Sequence, residues 1–184
     1  MKLVVAITGA SGVDYGVACV RLLRETDVEC HVTVTEAGRR VLAEESQSTL
    51  EDVHGMADVV HHPGDVGASV ASGSFEFDGM LVCPCSMKTL GYVANGIAEG
   101  LVPRVADVCL KERRRLVLVP RESPVARTHL DNMLKAHDAG AVVSPASPGF
   151  YTEVDSLETA VEVFAAKLLD GFDVEVPEMQ RWDG

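Results

Sequence analysis

The chain has 184 residues, 47% hydrophobic and 24% charged, a size that fits one domain (1–184) able to bury roughly 70% of its unfolded surface without staples. Its formal charge is −12, from 28 acidic against 16 basic residues spread along the chain, which disfavours nucleic acid or an anionic membrane as the main partner because phosphate backbones need a basic face. No run of about 18 apolar residues occurs, so no membrane span is expected, and five cysteines, an odd number, fit reduced thiols in a cytoplasmic protein.

Residues 2–8 form a continuous apolar run, the pattern of a strand buried on both faces of a parallel sheet. Gly9-Ala10-Ser11-Gly12 breaks it, and 13–24 then carries Val17, Val20, Leu22 and Leu23 at near-helical spacing. A second strand is expected over 29–34 and a helix over 36–45, with Val41 and Leu42 as its apolar stripe. The stretch 46–77 is the least regular and ends in a loop signal, Ala71-Ser72-Gly73-Ser74. Order returns with a strand over 79–83, the turn Pro84-Cys85-Ser86 and a helix over 87–95. A helix over 104–112, a strand over 115–119 closed by Pro120, a helix over 129–138, a strand over 141–144 and a helix over 157–169 complete the pattern. Strands alternating with helices imply right-handed βαβ units. The fold expected is α/β, a single doubly wound Rossmann-like or flavodoxin-like domain with a parallel sheet.

In such sheets ligands bind at the carboxyl ends of the strands, where four turns fall. In Thr8-Gly9-Ala10-Ser11-Gly12 the glycines let the backbone approach a ligand, and the helix that follows favours an anion. This is neither GxGxxG nor a P-loop, and taken alone it also reads as a plain tight turn. In Cys83-Pro84-Cys85-Ser86-Met87-Lys88-Thr89, Ser86 is placed as a helix N-cap, and the amides of Lys88 and Thr89 can hold a phosphate. The two cysteines are read as small buried hydrophobes rather than nucleophiles. Arg121-Glu122 leaves a strand end as either a solvated surface pair or a site pair. The fourth turn, over 144–151, ends in Phe150 and Tyr151, either core or the roof of a planar or isoprenoid ligand. His61-His62 is read as a surface pair, and no carboxylate cluster of the magnesium-chelating kind is present.

These turns, in this order and with Arg104 to Arg114 between the second and third, resemble the flavin prenyltransferases, the UbiX-like enzymes. The matching blocks are 8–12, 71–74, 83–89, 104–114, 119–122, 129–135, 148–151 and the terminal Arg181-Trp182, so the resemblance spans essentially the whole chain. It implies a metal-independent transfer of the dimethylallyl group from dimethylallyl monophosphate to reduced FMN, giving prenylated FMN and phosphate. By the match, Gly9, Ala10, Ser11, Thr35, Ser86, Met87, Lys88, Thr89 and Arg121 bind FMN. Tyr151 and Lys167 match ligands of the prenyl phosphate, Arg104 and Lys111 are further cations near it, and Ser72, Gly73 and Ser74 supply loop amides. Cations are needed where the charge of the leaving phosphate grows. The implied chemistry is attack of flavin N5 on the allylic C1, then alkylation of C6 with removal of its proton. Glu122 matches the catalytic acid/base, Ser11 a hydroxyl near N5, and Glu45 a carboxylate near the site.

The resemblance further implies a homo-oligomer, a dodecamer with sites built between subunits, and a UbiD-like decarboxylase that receives the product. Two other readings are an FMN-dependent decarboxylase of cysteinyl substrates, for which the first helix lacks the matching His, and a non-catalytic flavin carrier. The acidic excess with only five lysines resembles proteins adapted to high salt.

Overall fold

The computed structural model describes residues 1–149 and 154–176. Six strands, β1 (Lys2–Ile7), β2 (Glu29–Val34), β3 (Val59–Val60), β4 (Gly79–Cys85), β5 (Arg115–Pro120) and β6 (Val142–Val143), form one sheet in the order β3-β2-β1-β4-β5-β6. Every pairing is parallel. This is the doubly wound order, with its switch point between β1 and β4.

The period of two along each strand divides the sheet into two apolar faces. Leu3, Val5 and Ile7 share one core with Leu81, Val117 and Val119, covered by α1 (Asp14–Leu23) and α7 (Leu157–Asp170) through residues such as Val20, Leu23, Ala165 and Leu169. Val4 and Ala6 share the other with Met80, Val82, Leu116 and Leu118, under α4 (Met87–Ala94), α5 (Leu101–Lys111) and α6 (Arg127–Asp138). Gly16 lets α1 lie directly on the sheet, since a Cβ there would stand 2.1 Å from the carbonyl oxygen of Cys83. The remaining crossover from β2 carries α2 (Glu36–Glu45) and α3 (Leu50–Met56).

The α/β doubly wound expectation holds, with local departures. Within the irregular stretch, Thr49 and Asp52 form a capping box, each side chain accepting from the other's amide at 3.1 and 2.7 Å, and so start α3. β3 has only two residues, too few to show a period. α5 begins at Leu101, a turn before the expected start, because Pro103 lies in its first turn, where a missing N–H costs nothing. β4 continues through Pro84 to Cys85, with a register shift between Val82 and Cys85 that accommodates the proline.

His61 corrects the surface reading of the histidine pair. Its Nε2 lies 2.9 Å from Nδ1 of His31 on β2, the rings stack at 5.2 Å, and Nε2 of His31 meets Glu29 at 2.9 Å. Burial and the neighbouring His31 hold the His61 pKa below its usual 6.5, opposed by Asp65. Below about pH 6.5 the unfolded chain therefore binds a proton that the folded chain takes up only at lower pH, so stability falls as pH drops through that window. We expect denaturant midpoints to fall between about pH 7.5 and 5.5, and the fall to be smaller in His61→Gln. The residual slope belongs in part to His54, which burial also shifts downward. An identical pH slope in His61→Gln would contradict the assignment.

Candidate active site

At the switch point α1 leaves β1 toward one face and α4 leaves β4 toward the other, opening a crevice at the carboxyl edge of the sheet. Three turns meet there. The first follows β1, and Gly9 is obligatory in it: a Cβ would lie 2.3 Å from Cβ of Ala37 at the start of α2. Gly12 has φ of +90°, a region that favours glycine. The second turn is Thr35, which caps α2 by accepting from the Gly38 amide at 3.1 Å, while its own N–H donates to Ile7 O at 3.0 Å. The third is Ser86, which caps α4 by accepting from the Thr89 amide at 3.3 Å.

Accounting for the amides in these turns shows what remains for a ligand. The Ala10 N–H donates to Thr8 O, the Gly12 N–H to Glu45, and the Ser86 N–H to the Thr8 hydroxyl. The amides of Gly9, Ser11, Met87 and Lys88 have no protein acceptor among the described residues. Free donors in the turns after β1 and β4, two of them at a helix N-terminus, suit an anionic or carbonyl-rich ligand.

Glu45 Oε2 accepts from the Gly12 amide at 2.8 Å, so this carboxylate reaches the glycine turn and holds it. Arg121 and Glu122 leave β5 beside β4, where Cys85 pairs with Pro120. Both are exposed, and neither joins an ion pair among the described residues. Among the described residues Glu122 Oε1 accepts from the next amide, Ser123, at 2.9 Å, and from no other donor. Cys83 and Cys85 are buried and unpaired, and burial pushes the Cys85 thiol up to about 12, which fits inert packing groups.

Tyr15 belongs to this neighbourhood and went unnoticed in the sequence. Its ring carbons lie 3.2 Å from the Cβ position of Gly12, and it packs edge-on against Phe164 of α7 with centroids 5.1 Å apart. Burial and Cys83 raise its phenol pKa, and Arg121 acts in the opposite direction. An aromatic three residues after a Gly turn was the available signal.

Among the described residues, the Ser72-Gly73-Ser74 loop, Lys111 and Lys167, expected from sequence at the prenyl phosphate, do not meet this crevice within one protomer. Ser72, Gly73 and Ser74 hang from the amino edge of the sheet: Arg114, just before β5, donates to Gly73 O at 2.8 Å and Phe75 O at 2.9 Å. Lys111 pairs with Glu112 next to that loop. Lys167 pairs with Asp170 at 3.2 Å in the last turn of α7, immediately before Gly171, whose carbonyl accepts from Arg115 at the start of β5. A six-residue strand spans roughly 20 Å, so the two edges are that far apart. Arg104 is committed to Ala71 O at 3.0 Å and Asp107 at 2.8 Å. Tyr151, with Phe150, and Arg181-Trp182 lie outside the described residues. Among the described residues no group of three His, Cys, Asp or Glu side chains is arranged to hold a metal ion, and no helix is long and apolar enough to cross a membrane.

A family profile described as Flavoprotein matches residues 1–168. The chain is 48% identical over 181 residues to the flavin prenyltransferase UbiX of Deinococcus radiodurans, covering 98% of this chain and 93% of that protein. Its fold is similar to AnUbiX, solved in complex with FMN and dimethylallyl pyrophosphate, with a TM-score of 0.97, 43% identity and coverage of 100% and 97% of the two chains. It is equally similar to a dodecameric FMN-dependent Ubix-like decarboxylase from Escherichia coli O157:H7, with a TM-score of 0.97, 44% identity and full coverage of both chains.

Proposed function

The chain belongs to the Flavoprotein family and, within it, to the UbiX flavin prenyltransferases, and from that premise we propose how its residues join a dimethylallyl group to reduced FMN. The observation that carries the reading is the set of free amides at Gly9, Ser11, Met87 and Lys88, beside a glycine that leaves no room for a side chain. Reduced FMN, when bound, supplies the nucleophilic ring that accepts the prenyl group. Gly9, Ala10, Ser11 and Thr35 line one side of its crevice, and Ser86, Met87, Lys88 and Thr89 the other. Arg121, without an ion pair among the described residues, is the cation available to a phosphate or to negative charge on the flavin. Glu122, equally unpaired, takes the proton released when the new ring closes, and the Ser11 hydroxyl supports the flavin edge. Glu45 holds the Gly12 turn and so the shape of the pocket.

The prenyl donor is dimethylallyl monophosphate, and its phosphate is met by Arg104, Lys111, Lys167, Tyr151 and the Ser72-Gly73-Ser74 loop of a neighbouring copy. Two facts support this: Lys111, Lys167 and the Ser72-Gly73-Ser74 loop lie at the amino edge, away from the crevice of their own protomer, and a relative of nearly the same fold is dodecameric. The whole chain, 1–184, acts as one flavin-binding unit in the cytoplasm, consistent with five unpaired thiols, and hands prenylated FMN to a UbiD-like decarboxylase. Prenyl transfer is preferred over cysteine decarboxylation or flavin carriage because the relative at 48% identity is a flavin prenyltransferase.

The test is mass analysis of the flavin after incubation with reduced FMN and dimethylallyl monophosphate in the presence of a chelator. We expect a flavin heavier by one dimethylallyl unit, with the diphosphate run in parallel because AnUbiX was solved with that donor. Unmodified flavin with both donors would overturn the function, and turnover restored only by magnesium would overturn metal independence.

A further inference from the structure

We propose that Thr8 is a positioning residue for the flavin site, its hydroxyl setting the distance between the two turns that hold FMN. The proposal rests on the reading that FMN spans those turns.

The β1·β4 ladder is regular only as far as Ala6 opposite Val82. Beyond that point β4 is irregular, and Pro84 has no N–H to give. The backbone pairing therefore fades to one long bond, Thr8 N–H to Pro84 O at 3.3 Å, just where two ligand turns diverge to opposite faces of the sheet. Thr8 fills the gap. Its hydroxyl donates to Pro84 O at 2.7 Å and accepts from the Ser86 N–H at 2.8 Å. One oxygen atom thus adds two bonds between the strands where the regular ladder ends.

Two further facts make this more than a packing contact. Thr8 is 1% exposed, so removing its hydroxyl leaves the Ser86 N–H short of a partner at a buried position. Moreover, the Ser86 amide is the one immediately before the free amides of Met87 and Lys88, and Thr8 is the residue immediately before the free amide of Gly9. The hydroxyl is shared by the two backbones at the points where their free donors begin. A ligand that uses both sets of donors reads their separation, and that separation depends on Thr8.

The test compares Thr8→Val, which keeps shape and loses the hydroxyl, with Thr8→Ser, which keeps the hydroxyl and loses the methyl. FMN affinity of the apoprotein is measured by flavin fluorescence, alongside apoprotein melting and the KM for the prenyl donor at saturating FMN. We expect Thr8→Val to weaken FMN binding at least tenfold, the scale of one buried polar group left unpaired. Thr8→Ser should stay within about threefold of wild type, since it restores both bonds. Donor KM at saturating FMN should be unchanged in both. If Thr8→Val does not yield folded protein, Thr8→Ala against Thr8→Ser makes the same comparison of one oxygen. Equal FMN affinity in the hydroxyl-lacking and hydroxyl-bearing variants, whatever their melting temperatures, overturns the proposal. A wild-type protein that does not bind FMN overturns the functional reading along with it.

Discussion

Replacing Glu122 with Gln is expected to lower formation of prenylated FMN by roughly 10²-fold or more, the scale of a lost general acid or base, while FMN binds as in wild type. The substitution keeps the shape of the side chain and its acceptor for the Ser123 amide, so local backbone geometry is preserved. No ion pair is lost among the described residues, because Glu122 makes none. What is lost is the capacity to exchange a proton at the exit of β5. An adduct joined at the flavin by a single bond is expected to accumulate if ring closure is the step that suffers. Bound flavin and prenylated product should be measured on the same preparation. Wild-type turnover in the Gln variant would show that Glu122 carries no proton, whatever its place beside the crevice.

Gly16→Ala is expected to damage fold and site together. The added Cβ would stand 2.1 Å from Cys83 O and 2.9 Å from Cγ1 of Ile7. The first of these is backbone in the middle of the sheet and cannot turn aside. α1 must therefore lift from β4, at a cost of roughly 1–3 kcal/mol for overpacking a close contact. Lifting α1 also moves Gly12 and Tyr15, which belong to the crevice. We expect a lower denaturant midpoint and FMN affinity reduced by more than tenfold. An unchanged midpoint would mean that the helix and strand are less closely seated than the structure has them.

Much of the fold was legible because the informative runs are long. Residues 2–8 and 29–34 read as strands, and the helix between them as a helix, since each carries enough apolar positions to fix its period. α3 and β3 escaped because Val59-Val60 is too short to alternate, and the capping box of Thr49 and Asp52 lies among other polar residues. The start of α5 was hidden by Pro103, which reads as a breaker unless it falls in a first turn.

The candidate site was legible only in part, for a related reason. Gly9 to Ser11, Thr35, Ser86 to Thr89 and Arg121-Glu122 all follow strands, so the chain order itself sends them to one edge. Lys111, Lys167 and Ser72 to Ser74 precede strands or end a returning helix, and motif matching ignores that difference. Thr8 was counted as the last residue of a strand, and only its two bonds across the switch point show that it joins one turn to the other.

The separation of crevice and cations onto opposite edges of the sheet constrains what the chain can build. If the amino edge of one copy completes the carboxyl edge of the next, two copies related by a two-fold can do so reciprocally, whereas any one-way arrangement joins two different surfaces and is heterologous. Copies added in this way make either an open string or a closed ring. An open string always leaves one crevice without cations at one end and one set of cations without a crevice at the other. A ring wastes neither. The distribution of side chains about a single sheet thus favours assemblies with cyclic symmetry, in which every copy both gives and receives.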